Sequence, residues 1–168
     1  GIDLRAFGHY YNDLGLNVLI PVLPLHGPRR TGRRSGDGFL GGEVLDTLHG
    51  EAQAVWDIRR MIGWVRDQGA PSVGVTGLSL GGYTTALLAS VEPDLACVVA
   101  GIPVADLARI FWRHGPPMQL EYLAHLGIDQ AQVTELLTVV SPLALEPRVP
   151  FEGRLLFGGT ADRLGTPD

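Results

Sequence analysis

A serine stands between two glycines where an apolar run of the sequence changes into a helical pattern. The stretch Ser72 to Leu88 reads SVGVTGLSLGGYTTALL, so Ser79 follows a β-branched run and precedes an apolar-faced helix. A serine on such a turn is held in a strained backbone conformation that exposes its Oγ above the sheet. The N–H of Leu80 would point from the helix N-terminus toward an oxyanion formed there. The pattern predicts a nucleophile at Ser79 and an oxyanion donor at Leu80.

The spacing of Gly77 and Gly81 around Ser79 has a steric explanation. We expect strand and helix to approach so closely that a Cβ at either position would clash. The bare motif is weakly specific because 23 of the 168 residues are glycine. Its setting between an apolar strand and an apolar-faced helix distinguishes this match from a chance occurrence of the motif. The alternative is a glycine-rich β-to-α turn whose serine caps the helix.

The run GLSLGG at 77–82 matches the Gly-x-Ser-x-Gly nucleophile elbow, and here the sequence resembles the α/β-hydrolase family. The resemblance implies an esterase- or lipase-type serine hydrolase that cleaves a carboxylic ester or related acyl bond through an acyl-enzyme on Ser79. It implies a small-molecule acyl substrate and no metal or organic cofactor. Asp162, at the end of the run GTAD, corresponds to the family's acid, which orients a histidine. Asp106 is the second candidate for the acid, and an Asx-turn is the alternative role of Asp162.

The histidines depart from the family's order of serine, acid and histidine, because all five precede Asp162. His26-Gly27 resembles the start of an oxyanion loop, but only one long helix separates it from Ser79, so we interpret His26 as a loop residue. We therefore expect a sequence truncated at both ends, with the catalytic histidine and the second oxyanion donor outside it and no activity in these residues alone. The alternative is an inactive hydrolase-fold binding protein. A dinucleotide-binding protein is disfavoured, because position 79 would need glycine.

The composition is that of one globular domain, with 45% hydrophobic and 18% charged residues. A formal charge of −5 argues against a general nucleic-acid binder. No apolar stretch approaches the length that spans a bilayer, and we expect a cytoplasmic protein of undetermined oligomeric state. The single cysteine, Cys97, lies in an apolar run and is predicted to be a small buried hydrophobe, which leaves no disulfide framework or cysteine-based metal site.

The alternation of helical and strand-like patterns predicts an α/β fold with a mostly parallel, doubly wound sheet and helices on both faces. The whole chain, 1–168, would be part of a hydrolase domain. Residues 103–150, rich in aromatic residues and proline, would be a small helical cap or lid insertion, with ordinary surface helices as the alternative. The predicted helices are 3–14, 46–68, 83–91, 119–126 and 130–140, and the predicted strands are 17–25, 73–77, 95–102 and 154–157.

Overall fold

A parallel sheet lies at the centre of the computed structural model, which describes residues 8–39 and 43–162. Strands β1 (Gly74–Leu78), β2 (Cys97–Gly101) and β3 (Arg154–Phe157) pair in the order β1-β2-β3, and both pairings are parallel. Parallel neighbours need crossover connections, and helices provide them between β1 and β2 and between β2 and β3. The described chain therefore has an α/β fold, as the alternating sequence pattern predicts.

The helices agree with the predicted segments to within a few residues, with one addition. Helix α4 had not been predicted, although Asp106 precedes it and accepts a hydrogen bond from the Arg109 N–H at 2.9 Å, a helix-start signal. None of the described helices combines the length and apolarity needed to cross a bilayer. The helices are α1 (Gly8–Leu14), α2 (Val44–Asp67), α3 (Leu80–Val91), α4 (Leu107–His114), α5 (Pro117–His125) and α6 (Gln130–Leu137), with 3-10 turns at Gly27–Arg29, Thr138–Val140 and Phe151–Gly153.

The strand predicted over 17–25 is wrong. Residues 15–23 form neither helix nor strand, and Leu16 and Leu19 remain 51% and 52% exposed. A strand is stable only where its backbone groups pair with a neighbour, and no described strand pairs with this segment. The prolines at 21 and 24 also remove two backbone donors. The helix predicted before it is present from Gly8 onward, and its first residues lie outside the described part.

Helix α3 covers one face of the sheet by packing against β1 and β2. One buried cluster includes residues of α2, α3 and β2, and a second includes residues of α3, α4 and α6. The opposite face is open in the described part, where Leu78, Leu155 and Phe157 are 62%, 57% and 46% exposed. Helices on both faces therefore remain a prediction.

Cys97 lies on this open face, so the prediction that it is buried is wrong. Its partner in the β1–β2 register is Gly74. Successive side chains of a strand point to opposite faces, and the next residue, Val98, is buried on the α3 side. An apolar run indicates that a strand is buried but does not show which of its residues face an uncovered side.

The C-terminal ends of α2 and α3 are joined by ion pairs. Glu92, directly after α3, accepts hydrogen bonds from Arg59 at 3.0 Å and from Arg66 at 2.8 Å, both on α2. Burial alone would raise the pKa of the Glu92 carboxyl, but the hydrogen bonds and charges of the two arginines outweigh it and lower that pKa.

Candidate active site

Ser79 is the one residue between β1 and α3, and its backbone is strained. Its φ is 54° and its ψ is −115°, a region that a residue other than glycine rarely adopts. Its N–H donates to the Gly101 carbonyl of β2 at 2.9 Å, and its own carbonyl accepts from the Tyr83 N–H at 2.9 Å. The predicted sharp turn is therefore present, with an exposed serine at its apex.

The glycines around Ser79 differ in how much space a side chain would have at each position. A Cβ on Gly77 would overlap the Gly81 carbonyl, as the spacing predicts. A Cβ on Gly81 would meet no atom within 4 Å outside its own helical backbone, so the predicted clash at this position is wrong. The close contact belongs to Gly82, where a Cβ would lie 2.5 Å from the Gly101 oxygen. Gly77 and Gly82 together allow α3 to approach β1 and β2.

The start of α3 provides a hydrogen-bond donor beside the serine. Leu80 is the first helical residue, and N–H groups in the first turn of a helix have no intrahelical acceptor. The Ser79 side chain makes no capping hydrogen bond. Within the described residues, its hydroxyl is therefore not used to cap α3. An exposed hydroxyl in this position can attack a carbonyl carbon. The backbone N–H at the positive end of the helix can then stabilise the resulting oxyanion.

The two candidate acids lie in different settings. Asp162 follows the carboxyl end of β3 in a turn, where its N–H donates to the Gly159 carbonyl at 3.0 Å. Because the strands are parallel, β1 and β3 end at the same edge of the sheet, two strand spacings, or about 10 Å, apart. Asp106 instead caps α4. The turn of Asp162 thus follows a strand that ends on the Ser79 side of the sheet.

Among the described residues, no hydrogen bond joins Ser79 to a histidine. The His26 ring lies within hydrogen-bonding distance of the Pro24 carbonyl, 2.8 Å from Nδ1, and packs edge-on against Phe39, which agrees with its interpretation as a loop residue. His49 and His125 are exposed on α2 and α5. His114 ends α4 beside an apolar cavity of about 170 Å³. In the described residues, no group of three or more His, Cys, Asp or Glu side chains is placed to hold a metal ion.

A buried acid behind α3 was missed by the sequence analysis. Glu51, on α2, is 0% exposed, and burial raises the pKa of its carboxyl to about 7, an effect that the Thr84 hydroxyl partly opposes. The sequence did contain a signal. Val44, Leu48, Val55, Ile58, Ile62 and Val65 follow a spacing of three and four residues in which position 51 is the missing member. Ala52, the adjacent apolar residue, is exposed instead.

The parallel sheet and the strained serine turn are features of an α/β-hydrolase-like serine hydrolase. The chain belongs to the X-Pro dipeptidyl-peptidase (S15) family, whose sequence model matches residues 31–137. The matched region contains Ser79 and Leu80 but ends before β3 and Asp162. The family assignment thus rests on the part of the chain that builds the serine turn.

Two uncharacterized proteins of Mycobacterium tuberculosis, from strains CDC 1551 / Oshkosh and ATCC 25618 / H37Rv, are similar to almost the whole chain. Each is 46% identical over 169 residues, which is 99% of this chain and 40% of the relative. The chain therefore spans about two fifths of the length of these relatives.

Proposed function

We propose that Ser79 is the nucleophile of a serine hydrolase that cleaves a carboxylic ester or related acyl bond of a small molecule. The observation that supports this most is the exposed hydroxyl on a positive-φ turn, which does not cap the helix it precedes. Ser79 Oγ would attack the acyl carbon and pass its proton to a base, and the leaving group would depart with a proton. Water would then hydrolyse the acyl-enzyme and restore the hydroxyl.

In this mechanism the Leu80 N–H donates to the tetrahedral oxyanion, and the dipole of α3 strengthens the interaction. Asp162 orients a histidine base and stabilises its imidazolium form. The ends of β1 and β3 lie about 10 Å apart with β2 between them, so an imidazole above the end of β2 could reach from the Asp162 turn to Ser79. We place the histidine and the second oxyanion donor outside these 168 residues. No metal or organic cofactor takes part in the proposed steps.

Helices α4 to α6 support the interpretation of 103–150 as a cap. Of these, α4 and α6 line, together with the start of α2, the cavity of about 170 Å³, whose surface is largely apolar. An apolar cavity of this kind suits an acyl group better than a charged one. The lining residues are Val44, Thr47, Leu107, Ala108, Ile110, Phe111, His114, Gly115, Pro116, Val133 and Leu137.

Hydrolysis of a peptide bond is the second candidate, and the family match favours it. An X-Pro dipeptidyl-peptidase cleaves X-Pro dipeptides from peptides. A serine enzyme would do so through the same kind of acyl-enzyme. Ester and peptide substrates share the attack by Ser79 and differ in the leaving group. Parallel assays with p-nitrophenyl butyrate and an X-Pro p-nitroanilide separate the two candidates.

The test of the proposal is covalent labelling of the full-length protein with a fluorophosphonate probe. We expect the probe to modify Ser79, and Ser79→Ala to abolish both labelling and turnover. Ser72→Ala is a matched control, because Ser72 is an exposed serine just before the same strand. A folded protein that takes no label and hydrolyses neither substrate would contradict the proposal, and binding without turnover would identify a binding module.

A further inference from the structure

The Glu51 carboxyl is a buried polar group beside α3 that the proposed mechanism does not use. It is 0% exposed on the side of α2 that packs against α3, and neither of its oxygens has a hydrogen-bond partner among the described residues. Most buried polar groups are hydrogen-bonded, and an isolated buried carboxylate is strongly unfavourable. A wholly buried acid with no cation beside it is therefore more stable with its proton attached.

Two hydroxyl groups of α3 lie in this region, and both already donate elsewhere. The Tyr83 hydroxyl donates to the Val140 carbonyl at 2.7 Å, and the Thr84 hydroxyl donates to the Leu80 carbonyl at 3.1 Å. The Thr84 oxygen keeps lone pairs that can accept a hydrogen bond. A protonated Glu51 needs an acceptor for its O–H. The Thr84 hydroxyl lowers the pKa of the Glu51 carboxyl, which makes it the neighbouring group of α3 that could accept this proton, although the two side chains form no hydrogen bond in this structure.

We propose that Glu51 is a positioning residue for the Ser79 turn. Its carboxylic O–H would donate to Thr84 Oγ1, whose own proton is held by the Leu80 carbonyl. This relay fixes the first turn of α3, which supports the Ser79 hydroxyl and carries the Leu80 N–H. The inference rests on the proposed role of Ser79 as the nucleophile.

Loss of the proton breaks the relay. An ionised Glu51 has no proton to donate, and its oxygens compete with the Leu80 carbonyl for the Thr84 hydroxyl. Because the pKa of Glu51 is about 7, this change falls within the neutral pH range. The first turn of α3 would then lose a fixed hydrogen bond next to the serine.

The surroundings of Glu51 contain no described cation that would stabilise the ionised form. On α3 the titratable neighbour is Tyr83, whose pKa is raised by burial and by the charges of Glu51 and Asp106, so it stays neutral. On α6 the acidic side chain, Glu135, is exposed, and the 3-10 turn Thr138–Val140 has no titratable side chain. Arg59 lies two turns further along α2, about 12 Å away.

The experiment measures the rate of fluorophosphonate labelling of the full-length protein from pH 5.5 to 9. We expect wild type to lose roughly tenfold in rate above pH 7 relative to Glu51→Gln, whose amide donates at every pH. At pH 5.5 the two rates should be nearly equal. Glu43→Gln is the matched control, because Glu43 is exposed at the start of the same helix and makes no side-chain cap. Parallel profiles for wild type and Glu51→Gln would overturn the inference.

A second measurement does not depend on chemistry at Ser79. Amide hydrogen exchange in wild type, corrected for the intrinsic effect of pH, should speed up in the first turn of α3 as pH rises through 7. Unchanged protection there would overturn the inference even if Glu51→Gln failed to fold. The two proposals can fail separately. If neither wild type nor any variant is labelled at any pH, but exchange in the first turn of α3 still speeds up through pH 7, the proposed hydrolase function is wrong and the coupling of Glu51 to α3 is supported.

Discussion

Glu51 and Glu92 are two buried acids near opposite ends of the contact between α2 and α3, and their surroundings are opposite. Glu92 is 7% exposed and receives two arginines, whereas Glu51 is 0% exposed and receives none among the described residues. The pKa is lowered at Glu92 and raised at Glu51. The same pair of helices thus contains a satisfied acid at one end and an unsatisfied acid at the other.

The end of the α2–α3 contact that contains the unpaired Glu51 carboxyl also contains the strained backbone. Ser79 has a positive φ, and Gly82 allows the tightest approach of α3 to the end of β2. Local structural rules are broken most often at functional sites, where the surrounding packing must compensate. The comparison indicates that the Glu92 end stabilises the helix pair, while the Glu51 end lowers stability next to the candidate nucleophile.

The largest effect should come from replacing Glu51 by glutamine. The folded pKa is raised from 4.5 to about 7, so the folded protein holds a proton that the unfolded chain releases, and stability falls as pH rises through this range. Above pH 7 the loss should reach about 3 kcal/mol. Urea unfolding should show Glu51→Gln gaining this amount relative to wild type between pH 4.5 and 8. A constant difference would mean that Glu51 does not change its protonation in the folded state.

A pair of glycine substitutions should separate close packing from helix propensity at the same end of α3. Gly82→Ala should destabilise the protein by roughly 2 kcal/mol, because the new Cβ would lie 2.5 Å from the Gly101 oxygen. Gly81→Ala meets no atom within 4 Å outside its helix and should stabilise it by about 0.5 kcal/mol through helix propensity. Thermal unfolding of the two variants tests the difference. Equal melting temperatures would show that α3 can move away from β2 without cost.

Glu92→Gln should have a smaller effect than Glu51→Gln or Gly82→Ala, because Arg59 and Arg66 are 52% and 33% exposed and solvent weakens their pairing. We expect a loss of about 1 kcal/mol at pH 7. The lowered pKa means that this stability is present above the ordinary value of 4.5 and is lost as pH falls through the folded value. Wild type and Glu92→Gln should therefore converge in acid and differ at higher pH, where wild type is the more stable protein; in the Glu51 pair the variant is the more stable one at higher pH. Failure to converge would show that the arginines contribute through packing instead.

The features that sequence analysis predicted correctly are those that neighbouring residues determine. The turn at Ser79 depends on glycines within a few positions of it, and the long periodic pattern of α2 fixes that helix. The features that were predicted wrongly depend on residues that are distant in the sequence. The apolar run 17–25 has no described strand to pair with, and Cys97 lies on a face that no described helix covers. Glu51 was missed because a charge in an apolar stripe is normally assigned to solvent.

Ser79 belongs to two hydrogen-bonded systems at once. Its N–H joins the ladder of the sheet through Gly101, and its carbonyl begins the helical ladder of α3 through Tyr83. No flexible residue lies between the two, so a change in the tilt of α3 against the sheet is not absorbed by a loop. The direction of the hydroxyl is therefore mechanically linked to the twist of the sheet. A force that twists β1 and β2 against each other turns the hydroxyl in the same movement.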